Sequence, residues 1–131
     1  MRASVNVLLA AFNGEKYIAQ QIESILNQIQ KPNKIFINID KSSDDTVNIV
    51  KGYAKRFNDI QILNKNKKFG SATSNFINLL KSVDFNDVDF IALSDQDDLW
   101  KEDKLDKAIQ TLKQGYDGYS SNVEAFWKVH Q

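Results

Sequence analysis

Short runs of β-branched and aliphatic residues alternate along the chain with longer stretches in which apolar residues recur every three or four positions. The runs Ser4 to Ala11, Lys34 to Asp40, Ile60 to Leu63 and Val88 to Leu93 read as strands, because they are short, apolar and bounded by polar or turn-forming residues. Four helical stripes lie between and after them. Ile18, Ile22, Ile25, Leu26 and Ile29 make the first, and Val47, Val50, Ala54 and Phe57 the second. Ala72, Phe76, Leu79, Leu80 and Val83 make the third, and Leu105, Ala108, Ile109 and Leu112 the fourth. This spacing gathers each set on one helical face, able to cover a sheet. Regular alternation of strand and helix predicts an α/β class with an open, mostly parallel sheet and helices on both faces. A further strand is expected at Tyr116 to Ser121.

The polar punctuation agrees. Asn13-Gly14 closes the first strand, Pro32-Asn33 separates the first helix from the second strand, and Gly115 and Gly118 bracket the turn after the fourth helix. Ser42-Ser43-Asp44-Asp45 offers side-chain oxygens expected to cap the second helix, with acid at its positive end. Lys65-Asn66-Lys67-Lys68 reads as a solvated loop, phosphate contact being the other use of its charge. Asn75 lies opposite or beside the apolar stripe of the third helix and is expected to face solvent. No repeat or Pro/Gly/Ser-rich linker interrupts the pattern, so residues 1–131 are expected to form one domain.

Composition removes several chemistries. With no Cys and a single His, His130, a disulfide scaffold, a thiolate zinc site and a Ser-His-Asp triad are all poor fits. A metal here would be held by oxygen, which selects Mg²⁺, Mn²⁺ or Ca²⁺. The 17 Lys and Arg equal the 17 Asp and Glu, so the basic footprint of a nucleic-acid binder is missing. No apolar run approaches the ~20 residues of a membrane span. The N-terminus opens straight into a strand instead of a basic region followed by an apolar core, so a cytoplasmic location is expected.

Ligands of open α/β sheets bind beyond the carboxyl ends of the strands. That rule selects Ala10 to Gly14, Asp40 to Asp44, Lys68 to Ser71 and Ser94 to Asp98. In the last segment Asp95, Asp97 and Asp98 crowd three negative charges that a divalent cation would neutralise. The same acids also suit the N-terminus of the fourth helix. An EF-hand loop counted from Asp95 fails, since Leu99 and Trp100 stand where Asp or Asn and then Gly are required. A phosphoacceptor receiver fails too, because the first strand ends in Ala10-Ala11-Phe12 instead of acids. Asp40 either accepts hydrogen bonds from a base or ribose or stabilises its own turn. Phe12 either stacks on a base or belongs to the core, and Trp100 either walls a pocket or packs on the fourth helix.

Taken together, four segments resemble the inverting family 2 glycosyltransferases of the GT-A fold. Ala10-Ala11-Phe12-Asn13-Gly14 is similar to their Thr-x-Tyr/Phe-Asn segment, and Ile39-Asp40-Lys41-Ser42-Ser43-Asp44-Asp45-Thr46 to their Asp-Asp-Gly-Ser-Thr-Asp-Asn-Thr segment. Asn66-Lys67-Lys68-Phe69-Gly70-Ser71 resembles their Asn-Leu-Gly loop. Asp95-Gln96-Asp97-Asp98-Leu99-Trp100, continued by Lys104-Leu105, is similar to the Asp-x-Asp metal motif of the rhamnosyltransferase-like branch. The resemblance covers residues 3–121. It implies a Rossmann-like sheet of order 3-2-1-4 and a nucleotide-sugar site. Ala10, Phe12, Asn13, Gly70 and Gln96 would line that site, Asp40 would bind the base edge, and Asp95 would face the ribose or sugar. Asp97 would reach the metal, with Asp98 and Trp100 in support. This chain departs from the family at Ile39, where the first paired acid is usual, at Lys41 in place of Gly, and at Ala10, which lacks a hydroxyl. Ser74 stands near a common Arg.

The function implied is transfer of a sugar from a UDP- or dTDP-sugar, with Mg²⁺ or Mn²⁺, to a glycan or lipid-linked acceptor. Peripheral association with the inner face of the membrane would suit such an acceptor. An inverting displacement needs a general base, and residues 101–131 offer none, so it is expected beyond Gln131. The chain therefore reads as the donor-binding part of such a domain; the alternative is a non-catalytic remnant that binds a nucleotide or a partner. A third reading, an unrelated doubly wound fold whose acids are caps, would show another strand order. A sheet edge or apolar face left uncovered would favour homo-oligomers.

Overall fold

A computed structural model describes residues 3–95, 99–121 and 124–128 of the chain. Its elements are β1 (Val5–Ala11), α1 (Ile18–Leu26), β2 (Lys34–Asp40), α2 (Thr46–Arg56), β3 (Ile60–Lys67), α3 (Ala72–Ser82), β4 (Phe90–Asp95), α4 (Lys104–Lys113), β5 (Gly118–Ser121) and β6 (Glu124–Lys128). They form one sheet of order β3-β2-β1-β4-β6-β5. The first four in that order run parallel, in the anticipated 3-2-1-4 arrangement, while β6 is antiparallel to both β4 and β5.

All seven residues of β1 are buried, as a central strand covered on both faces requires. Alternate side chains feed two separate cores. Val5, Val7 and Leu9 join Ile35, Ile37 and Ile39 beneath the apolar stripes of α1, α2 and α4. On the other face Leu8, Ala10 and Phe36 meet Leu79 of α3, with Phe76, Leu80 and Val83 around them. No helix among the described residues is long and apolar enough to cross a membrane.

Several local expectations are corrected. α1 ends at Leu26, and Ile29, which continued its stripe, is exposed at the surface. β3 runs to Lys67, so Lys65 to Lys67 belong to a strand instead of a loop. It is an edge strand of the sheet. The fifth strand starts at Gly118 and leaves Tyr116 exposed. β6, not anticipated, inserts between it and β4. β6 thereby covers the side of β4 that β1 leaves free.

Candidate functional site

The carboxyl ends of β1 and β2 and the start of α3 enclose a cleft of about 540 Å³, lined by Ala10, Ala11, Phe12, Asp40, Lys41, Lys68, Gly70, Ser71, Ala72 and Asn75. Its character follows from the residues. The alanines leave room over the strand ends, and Phe12, 51% exposed, offers an aromatic surface instead of entering the core. Lys41 and Lys68 bring exposed ammonium groups. Ser71 caps α3 by accepting from the Ser74 N–H at 3.1 Å, so the positive end of that helix opens on the cleft.

The loop after β1 is fixed by its neighbour after β2. Asn13 adopts a left-handed backbone, φ 45°, which Asn tolerates better than most residues. Its N–H donates to Ser42 Oγ at 3.0 Å, and its Oδ1 accepts from the Ser43 N–H at 2.8 Å. The Gly14 N–H donates to the buried Thr46 hydroxyl at 2.8 Å, and the Glu15 N–H to Asp44 Oδ2 at 3.1 Å. The oxygens expected to cap α2 therefore tie the two loops together; Asp45 occupies the cap position but makes no side-chain cap bond. Burial acts to raise the Asp44 carboxyl. Hydrogen bonds from the Thr46 hydroxyl and N–H and from the Glu15 N–H outweigh it, holding the group below its usual 3.8.

Asp40 ends β2 and is 6% exposed. Its Oδ1 accepts from the N–H groups of Lys41 and Phe69, both at 2.8 Å, and its Oδ2 from the Gly70 N–H at 3.1 Å. Gly70 holds φ +88°, a conformation in which any side chain would be strained. Asn75 overturns its expected solvent exposure. It is 2% exposed, and its Nδ2 donates to Asn38 O at 3.1 Å and Ala11 O at 3.4 Å, pinning α3 to the ends of β1 and β2.

Of the residues singled out from sequence, Ala10, Phe12, Asp40 and Gly70 thus meet in the cleft, whereas the Asn13 side chain is spent on the neighbouring loop. Asp95 ends β4 in register with Ala10, next to the cleft wall. Gln96, Asp97 and Asp98 lie outside the described residues. Trp100 is buried in the core with Leu105, its backbone N–H donating to Ser24 Oγ at 3.2 Å, and takes no part in lining the cleft. Lys41 and Ser71 lie in segments that the sequence selected but were not singled out there as site residues; the parts of Asn75 in the cleft and of Gln21 were missed. This last amide, wholly buried on α1, donates to Ser94 Oγ and so steadies β4 one residue before Asp95.

Among the described residues no three His, Cys, Asp or Glu side chains converge to hold a metal. Of the acids expected from sequence to hold a metal, Asp95 ends β4, and Asp97 and Asp98 lie outside the described residues; carboxylate oxygens are the donor type that suits a hard divalent cation.

Comparison with known proteins agrees with this geometry. The family model for glycosyl transferase family 2 matches residues 6–126. The chain is 41% identical over 121 residues to the dTDP-rhamnosyl transferase RfbG of Shigella flexneri, covering 91% of this chain and 42% of that protein. The mannosyltransferase PcManGT from Pyrobaculum calidifontis, solved with GDP-Man and Mn²⁺, superposes with a TM-score of 0.79 at 18% identity, over 98% of this chain and 45% of that one. S. aureus TarS 1-349 in complex with UDP superposes with a TM-score of 0.69 at 21% identity, over 88% of this chain and 34% of that one. At these identities the structural likeness shows the fold, that of GT-A glycosyltransferases. The chain spans less than half the length of each of these relatives.

Proposed function

This chain belongs to glycosyl transferase family 2, and from that premise we propose that its cleft takes the nucleotide of a UDP- or dTDP-sugar. The carrying observation is the cleft itself, at the strand ends where α/β sheets bind ligands, with an exposed aromatic, two ammonium groups and a helix N-terminus on its walls. Phe12 would stack on the base, while Ala10 and Ala11 leave the floor open to it. Lys41, Lys68 and the amino end of α3 would balance the ligand's negative charge. Asp95 would turn towards the ribose or sugar with Gln96, and Asp97 would hold Mg²⁺ or Mn²⁺, with Asp98 and Trp100 in support. A cation bound there would stabilise charge on the leaving diphosphate.

Residues 1–131 act in this reading as one donor-binding unit, and the whole protein transfers the sugar to a glycan or lipid-linked acceptor. Its test is thermal denaturation with UDP or dTDP, with and without Mg²⁺ or Mn²⁺. A ligand at a hundred times its Kd adds about 2.7 kcal/mol, enough to raise Tm visibly. The reading fails if neither nucleotide shifts Tm with metal present and Asp97→Asn behaves like the parent chain. Release of free sugar from the donor separates a turning-over enzyme from a binding module.

A further inference from the structure

We propose that α1 positions the acid segment after β4, with Gln21, Ser24 and Gln28 holding its two ends. Gln21 and Ser24, three positions apart, share one side of the helix, and Gln28 follows its C-terminal end. Gln21 Nε2 donates to Ser94 Oγ, one residue before the end of β4. Ser24 Oγ accepts from the Trp100 backbone N–H at 3.2 Å. Gln28 reaches two points further on. Its Nε2 donates to Lys101 O at 2.6 Å, and its Oε1 accepts at 3.0 Å from the Leu105 N–H, which the first turn of α4 cannot pair. The Ile29 N–H adds a bond to Glu102 O at 2.8 Å. The chain is thus gripped at Ser94 and again from Trp100 to Leu105. Asp95, Asp97 and Asp98 fall between the two grips in sequence.

Two features separate this arrangement from ordinary packing. The side chains that grip are neutral: amides and a hydroxyl fix the chain without offsetting the negative charge that would draw a cation, as Lys or Arg would. The second feature is the cost of Gln21. It is wholly buried, and its Oε1 has no hydrogen-bond partner among the described residues. A buried, unsatisfied amide oxygen lowers stability, so an apolar residue of similar size would serve the core better. What Gln21 contributes is its hold on Ser94. Groups behind the ligands of a cation fix the geometry in which those ligands are presented. This inference rests on the acid segment holding the cation, but its first test does not.

Hydrogen exchange of the 131-residue chain without ligand reads the grip directly. The Trp100 and Leu105 amides are expected to exchange about tenfold or more slower than an open loop allows. Ser24→Ala should speed exchange at Trp100 and leave Leu105 unchanged. Exchange of both amides at the open-loop rate in the parent chain would overturn the proposal. UDP affinity, measured in EDTA and then across a Mn²⁺ titration, reads the consequence. Gln21→Leu should hold or raise Tm and keep the metal-free affinity within about twofold, while the Mn²⁺ concentration giving half its effect rises about tenfold. Ser24→Ala should move that concentration in the same direction by less. An unmoved Mn²⁺ midpoint in both folded variants, or an equal loss of UDP affinity with and without metal, would overturn the proposal. If Gln21→Leu does not fold, Ser24→Ala decides. Should Mn²⁺ not strengthen UDP binding to the parent chain, the cation reading falls, and exchange alone then decides whether α1 holds the segment.

Discussion

The two faces of the sheet are built differently. One is covered by α1, α2 and α4 over a continuous core in which Leu9, Ile22, Ile37 and Leu105 are wholly buried. Among the described residues the other carries α3 alone, and around its buried Leu8 and Leu79 the neighbours Phe76, Leu80 and Val83 are only partly covered. The thick face is apolar almost throughout. The thin face is interrupted near the strand ends by the Asn38 and Asn75 amides and then opens into the cleft. The larger apolar core thus lies on one side and the candidate ligand cleft on the other, where fewer contacts resist opening.

Substitutions should expose the asymmetry, and the largest effect belongs to the thick face. Leu105→Ala leaves a cavity that closely packed neighbours cannot fill, and should cost about 3–4 kcal/mol in chemical denaturation. Leu79→Ala removes the same atoms from the thin face, where half-covered neighbours can collapse, and should cost about 2–3 kcal/mol. Equal losses would remove the distinction. Thr46→Val keeps the shape but leaves the Gly14 N–H without its acceptor, at about 1–2 kcal/mol.

The loop tie also has a pH signature. The Asp44 carboxyl protonates at lower pH in the folded chain than in the unfolded one. Its contribution is complete above the unfolded value of 3.8 and is lost as pH falls through the lower folded value. Asp44→Asn should flatten that part of the stability curve; an unchanged acid limb would show that the tie carries no weight. The smallest effect on stability is expected at Phe12. Half exposed, it can become Ala within about 0.5 kcal/mol, yet nucleotide affinity should fall by up to about tenfold.

The same asymmetry governed what could be read from sequence. Long apolar stripes such as Leu105, Ala108, Ile109 and Leu112 announce a helix and its inner face together, so the thick layer was legible, while the 3-2-1-4 order came from the family resemblance. Asn75 was misread because periodicity treats a polar residue as outward-facing. Its amide is instead drawn inward by two carbonyls at the ends of strands far away in sequence. Ser42 to Asp45 look like caps because capping is local, whereas Ser42, Ser43 and Asp44 also bond Asn13 and Glu15, which belong to another loop. β3 was cut short at Leu63 because polar edge residues carry no apolar signal. β6 escaped because nothing near it in sequence reveals that it pairs with β4. In the site, the chemistry-bearing types at Phe12, Asp40 and Gly70 were visible, but which atoms Asp40 would engage depended on the return of the chain at Phe69.

The placement of β6 between β4 and β5 bears on how the protein is made. As the chain leaves the ribosome, β4 emerges some thirty residues before the strand that will occupy its free side. For that interval an apolar strand, Phe90-Ile91-Ala92-Leu93, is exposed along one edge and open to pairing with a neighbouring nascent chain. Chain release or pausing before Lys128 should therefore raise aggregation.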